Sequence, residues 1–541
     1  MKKICILTVM CFLLNACTDK LELSPLDSIS TQNFFKTQED FDLAVNGLYN
    51  YMQGKGNVGR NGVYAGDLYW EVASDAAYFQ FSWHTPWYDI SNGNLAPTTD
   101  NVRFIWDTGY RAIGWANTIL ANMDKASIDA NTKKIYEGEV KFLRAITYLR
   151  MVSLYGDVPL VLKQLPVSEA KVPRDSKESV LTQVVADLDE AAQKLSLTPL
   201  NGQKGRATKQ AALGMKVRAL TYAASPLFNP SGDTKKWEAA KTAASELMTI
   251  ATQNPNLVGL ESSYDNIFSV SNEDNKEVLF NIEYTANNSQ EGGNNLLPFG
   301  PRTLPTQGGV AGGWGSSAIT PEYADSYLMK DGLPASSSPL YSAANPWANR
   351  DPRFYTTYFV AGISTLPDGS IFNIDRVNSF PGGTFQAAYP MSIRKGVDPS
   401  AKNQAYDNEQ APNTIILRYA DVLLMYAEAQ NEISGSDATV YAAINQIRSR
   451  AGLPNLATGL SKDAMRTAIQ NERKWELGYE GVRYFDIRRW KIADAVLNNL
   501  PKGPTLNVTP AKKFVATKHY WWPLAQSTID ANPKLIQNDG Y

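Results

Sequence analysis

The sequence predicts a mostly α-helical protein, with tetratricopeptide-like helix pairs forming an α-solenoid scaffold and a loop-rich variable lobe with short strands between them. Helical periodicity is the first sign. Phe142, Ile146, Leu149 and Val152 recur at i+4, i+3 and i+3 within 131–155, with Gly156 as a stop. Succession is the second, because helical stretches follow one another at a spacing that suits pairs of ~34 residues, although that repeat's consensus is absent. Interruption is the third. Residues 255–414 are rich in Gly, Pro, Asn and Ser, with Asn287-Asn288, Gly292-Gly293, Gly308-Gly309 and Gly312-Gly313-Trp314-Gly315. A long irregular insert of this kind is more often functional than idle.

Before any helix, the chain reads as an export signal. Met1-Lys2-Lys3 is basic, Ile4 to Leu14 is apolar, and Leu14-Asn15-Ala16-Cys17 sets a small residue before a cysteine. The apolar stretch, about eleven residues, is too short to cross ~30 Å of hydrocarbon as a helix. Leu-Asn-Ala-Cys looks like a bacterial lipobox, in which residues 1–16 are removed and Cys17 becomes the lipid attachment site. The alternative is an ordinary secretory signal with an incidental cysteine. Two or more acyl chains, at ~0.8 kcal/mol per buried methylene, hold where one chain binds reversibly. The cysteines are Cys5, Cys11 and Cys17, so the mature chain would keep no thiol for disulfides or catalysis.

Residues 17–36 form the lipidated tether. A helical scaffold part over 37–254 follows, then the ligand-binding lobe at 255–414 and a second scaffold part over 415–541. Thr37-x-x-Asp40 offers a cap for the first helix, which runs through Phe41, Val45, Leu48 and Tyr49. Further helices are expected at 100–125, 131–155, 176–195, 207–224, 234–252, 415–433, 437–451, 461–479 and 484–499. Val278 to Ile282 reads as a short strand.

A net charge of −2 gives no basic field to recruit nucleic acid. His84 and His519 are the two histidines, so H-E-x-x-H cannot be built. No cofactor is implied. The Asp-rich loops leave a structural calcium open, without a D-x-D-x-D-G loop to support it. Gly54-Lys55-Gly56-Asn57-Val58-Gly59 matches G-x-G-x-x-G in letters, yet it follows a helix and opens none, so it reads as a loop.

Glu472, Glu476 and Glu480 stand at i, i+4 and i+8, where carboxylates ~5–6 Å apart could mimic a retaining glycosidase pair. Like charges at this spacing need cations, and Arg473, Arg483, Arg488 and Arg489 are close in sequence. A structural ion-pair network is the better reading. Asp421, Glu428 and Glu432 read the same way, with Arg448 and Arg450 as partners.

The loop aromatics differ. Phe81-Ser82-Trp83-His84-Thr85-Pro86-Trp87-Tyr88 sustains neither helical nor strand period, and Trp314 sits among glycines. Exposed indoles on polar loops suit the apolar faces of pyranose rings, at about 0.5–1.5 kcal/mol per aromatic contact beyond area burial. Trp83, Trp87, Tyr88 and Trp314 are therefore candidate ligand platforms, unless they anchor their own loops to the body. Tryptophan platforms favour neutral glucans over sulfated glycans.

Several blocks resemble the SusD/RagB family of outer-membrane nutrient-binding lipoproteins. They include Ala44-Val45-Asn46-Gly47-Leu48-Tyr49-Asn50, Glu139-Val140-Lys141-Phe142-Leu143-Arg144-Ala145 and Tyr155-Gly156-Asp157-Val158-Pro159. Asn349-Arg350-Asp351-Pro352-Arg353, the run from Arg418 to Ala429, the run from Glu480 to Trp490 and the terminal Gln537-Asn538-Asp539-Gly540-Tyr541 complete the set. Asp539 stands where the family often has proline. The resemblance implies four tetratricopeptide-like helix pairs and a non-enzymatic role. The protein would capture oligosaccharides, or in some relatives peptides, at the cell surface and close over a SusC-like TonB-dependent barrel. It places the ligand site on loops after the first helix and in the insert. Here those are the Trp83–Tyr88 loop and the stretch from Tyr284 to Trp314, which adds Tyr284 to the candidates.

Overall fold

The computed structural model describes residues 34–53, 62–64, 67–79, 82, 87–284, 299–300, 316–366, 369–373, 391–397, 412–500 and 512–541, with the backbone of 403–404 and 407–408. Helices begin where the sequence supplies caps. α1 (Gln38–Asn50) starts at Thr37, whose hydroxyl accepts the Asp40 N–H at 3.2 Å while Asp40 accepts the Thr37 N–H at 2.9 Å. This reciprocal pair satisfies two backbone donors that would otherwise lack partners.

After α2 (Asp67–Ala73), β1 (Ala77–Phe79) and α3 (Trp87–Ser91), the long α4 (Asp100–Asn122) and α5 (Ala130–Tyr155) pack together. Asp129 caps α5, and Gly156 ends it at φ +73°, a conformation that side chains rarely adopt. Every residue from Phe142 to Tyr155 is buried, because α1, α4, α6 (Lys177–Lys194) and α7 (Lys209–Ala224) surround this helix. Ser176, Thr208 and Asp233 cap α6, α7 and α8 (Thr234–Gln253), and each of these helices packs on the one before it.

The insert leaves through α9 (Tyr264–Ile267) and β2 (Val278–Ile282). It then carries β3 (Ser317–Ile319), α10 (Pro321–Asp325), α11 (Pro352–Thr357), β4 (Tyr358–Val360), β5 (Met391–Ile393), β6 (Asn403–Gln404) and β7 (Asp407–Asn408), and returns through β8 (Thr414–Arg418). β2 and β8 are antiparallel, with Val278 opposite Arg418 and Ile282 opposite Thr414. The insert's exit and return are thereby clamped together, against α7. Gly214 of α7 permits that approach, since a Cβ there would lie 2.5 Å from Leu417 Cδ2 and 3.1 Å from Leu279 Cδ1.

The helical row continues across the insert. α8 packs directly against α12 (Tyr419–Ser434), which receives α13 (Ala438–Arg450) and α14 (Lys462–Glu476). The result is the expected mostly α architecture of stacked helix pairs, joined by a shared apolar core running from Phe35 to Leu535. Two expected helices end early. The stretch 461–479 stops at Glu476 before Tyr479 takes φ +62°, and 484–499 divides into α15 (Arg483–Arg489) and α16 (Ala493–Asn498) around Lys491 at φ +57°. α17 (Gln526–Ala531) lies near the end of the chain.

Candidate ligand-binding face

The α14 carboxylates are scaffold. Arg353, from the insert, donates to Glu472 at 2.6 Å, to Glu476 at 2.9 Å and to Asp351 at 2.7 Å. Arg418, ending β8, donates to Glu277 at 2.7 Å, Glu476 at 2.6 Å and Glu480 at 2.7 Å. Arg448 reaches Glu472, and Arg450 reaches Glu277 and Glu476. Glu472 and Glu476 are 1% and 0% exposed, out of reach of a glycosidic bond. Burial alone would raise the Glu476 carboxyl, but the guanidiniums of Arg450, Arg418 and Arg353 outweigh it and hold the group well below the usual carboxylate range. A group so firmly ionised cannot serve as a general acid.

The network is thus of the expected kind, with different partners. Arg353 and Arg418 answer Glu472 and Glu476, whereas Arg473 and Arg489 pair with Asp486, Asp421 and Glu428. Arg483 pairs with Asp75, and Arg488 donates to backbone carbonyls. Arg448 and Arg450 do not pair with Asp421 or Glu428, since both point into the α14 seam; Glu432 pairs with Arg466. Glu480 reaches the seam from beyond the helix, turned back by the bend at Tyr479.

The candidate platforms separate. Trp87, on α3, is 1% exposed; its ring meets Tyr69 at 5.3 Å and Trp70 edge-on at 4.9 Å between centroids. Trp70 continues the stack to Tyr484, Phe485 and Trp522. Trp87 therefore anchors its own loop to the body and is not a surface platform, because Tyr69 and Trp70 occupy its surroundings. Tyr88, next on α3, is partly buried against the same core. Tyr284 is buried at the end of β2, where its N–H donates to Asn413 Oδ1 at 3.0 Å. Trp83 and Trp314 lie outside the described residues, as do the G-x-G-x-x-G letters and Cys17.

The attachment points of the two tryptophan segments are described. β1 and β3 are antiparallel, with Ala77 opposite Ile319, Tyr78 opposite Ala318 and Phe79 opposite Ser317. Trp83 stands four positions past Phe79 and Trp314 three positions ahead of Ser317. Both segments therefore join the same end of one ribbon, at backbones ~5 Å apart. Phe299 packs against Tyr69 and Phe79 there.

Close to this ribbon is a small recess of about 50 Å³ lined by Leu68, Phe268, Lys395, Asn413, Tyr479 and Glu480, among others. Lys395 donates to Glu480 at 2.6 Å, Tyr264 Oη at 2.7 Å and Gly478 O at 2.9 Å. Burial pulls its ammonium down to about 8, against the carboxylate of Glu480. The sequence reading had singled out neither Phe268 nor Lys395. The alternation in Phe268-Ser269-Val270-Ser271 is a signal that could have drawn attention to Phe268. Among the described residues no group of three or more His, Cys, Asp or Glu could hold a metal ion, and no helix is long and apolar enough to cross a membrane.

Comparison with known proteins agrees with this architecture along most of the chain. Residues 276–541 match the model of the SusD family, and residues 21–219 match one described as starch-binding, associating with the outer membrane. SusD-like protein P2 of Formosa agariphila is 27% identical over 551 residues, covering 98% of both chains. A SusD-like protein of Bacteroides fragilis superposes with a TM-score of 0.79 at 25% identity, over 96% of this chain and 100% of that one. A SusD-like carbohydrate-binding protein of the same organism gives 0.75 at 26% identity, over 93% and 100%. The chain belongs to the SusD/RagB-like family.

Proposed function

We propose that this protein is a lipid-anchored outer-membrane receptor facing the cell exterior. It captures oligo- or polysaccharide without catalysis and delivers it to a SusC-like TonB-dependent transporter. The observation that carries the reading is the β1–β3 register, which starts the Trp83 segment and ends the Trp314 segment side by side. Two indoles based on one ribbon end can hold successive faces of a sugar chain. Two or three such contacts with polar partners correspond to roughly millimolar to micromolar affinity. The burial and arginine pairing of Glu472 and Glu476 support the absence of hydrolysis.

Affinity electrophoresis against a polysaccharide panel tests the site. Trp83→Ala and Trp314→Ala are each expected to abolish or strongly reduce the retardation seen for the parent. Undiminished retardation in both would sink the assignment. For the anchor, Cys17→Ala is expected to move the protein out of the membrane fraction and to end labelling by radioactive palmitate. Continued labelling would contradict attachment at Cys17.

A further inference from the structure

On the far side of Phe268 the surface sinks again, into a groove of about 510 Å³ bounded by residues 265–271 and 394–397. Phe268, Lys395 and Gly396 line both depressions, so the two adjoin as one trough at these residues. Tyr264 meets that ring edge-on at 5.2 Å, and Lys395 Nζ lies 4.3 Å from its centroid. In the second groove Asp265 and Arg394 form an ion pair at 2.7 Å. Both are held in place: Asp265 accepts from Thr356 Oγ1 at 3.0 Å, and Arg394 donates to Tyr355 O at 2.8 Å. The Asp265 side chain is nevertheless 55% exposed and that of Arg394 34%. Each keeps hydrogen-bonding capacity for a ligand. Ser269 and Ser271 add hydroxyls from the adjoining turn.

We propose that this trough is a second carbohydrate subsite, which takes a neutral hexose unit of a chain whose other units lie at the tryptophan-bearing loops. The proposal rests on the glycan reading above. A pyranose offers an apolar C–H face to Phe268 and adjacent hydroxyls to the fixed carboxylate–guanidinium pair. Charge decides for a neutral sugar: Asp265 is balanced by Arg394 and Lys395 by Glu480, and Glu273 adds a carboxylate to the lining, so no net positive charge faces a uronate or sulfate. Size agrees for the groove beside Asp265 and Arg394, whose volume of about 510 Å³ falls within the ~300–1,000 Å³ that ligand sites commonly span.

Calorimetric titration with laminarihexaose, maltohexaose and the corresponding disaccharides tests it, using Arg394→Ala and Ser271→Trp. Ser271 is exposed, so the tryptophan fills the groove without entering the core. Both variants are expected to bind the parent's hexasaccharide about three- to tenfold more weakly, with disaccharide affinity and melting midpoint unchanged. Unchanged hexasaccharide affinity in either variant overturns the subsite while leaving the Trp83 and Trp314 assignment standing. Equal weakening of the disaccharide would make the trough the primary site and contradict its role as an extension. A parent protein that binds neither hexasaccharide overturns the neutral-glucan subsite, and retention of another polysaccharide in the affinity gel would show that the wider reading survives.

Discussion

The carboxylate seam of α14 and the aromatic ribbon end of β1 and β3 are neighbours, joined by Tyr479, whose hydroxyl donates to Ala76 O at 3.0 Å. Each concentrates residue types that commonly carry function, and they use them oppositely. In the seam, Asp351, Glu277, Glu472, Glu476 and Glu480 are sealed against arginines drawn from the insert, β8 and α13. Removing one member there strands a charge in a medium that cannot solvate it. At the ribbon end, Trp87 is locked into a stack, and the loops carrying Trp83 and Trp314 begin and end at that packed base. Residue type alone does not mark a site; accessibility and the pairing of charge do.

The largest effect that separates the two regions is expected at Arg418. Arg418→Ala leaves Glu277, Glu476 and Glu480 short of their shared cation and should cost about 3–5 kcal/mol in urea unfolding. Loss of glycan binding without loss of stability in that variant would break the contrast. Next comes Trp87→Ala, which opens a cavity beside Tyr69 and Trp70 and should cost about 3 kcal/mol. A variant as stable as the parent would return Trp87 to the surface platforms.

A smaller effect is expected from Glu71, fully buried on α2 and bonded to the Gly481 N–H at 2.9 Å. Burial pushes its carboxyl from 4.5 up to about 8, opposed by that N–H. The folded-state value is the higher one, so folding favours the protonated acid. Its contribution is fully present below about pH 4.5 and is lost as pH rises through about 8. Buried Lys512 and Lys395, pulled down by desolvation to about 7 and about 8, act in the opposite sense at higher pH. The comparison is therefore best made from about pH 5 to about pH 6.5, where Glu71→Gln should gain about 2 kcal/mol relative to the parent. Parallel stability curves for the two proteins over that range would show that Glu71 does not carry the proton.

Much of the scaffold was legible because its determinants are local. The Thr37–Asp40 box, Asp129 before α5 and Gly156 after it mark helix ends within a few residues. The insert announced itself by its glycines and asparagines. The seam's partners were not legible, because Arg353 lies 119 positions from Glu472 and only the returning ribbon brings Arg418 to Glu476. Proximity in sequence pointed instead to Arg473 and Arg489, which belong to the Asp486 cluster. Trp87 was misread because α3 is five residues long, too short for a period to reveal which side packs. Phe268 and Arg394 meet only through the tertiary fold, so no local pattern could join them.

Binding and melting measured on one preparation of the Trp83→Ala/Trp314→Ala double variant test the central claim most directly. The account predicts a melting midpoint equal to the parent's and no retardation by any polysaccharide that retards the parent. Full retardation at an unchanged midpoint would contradict it.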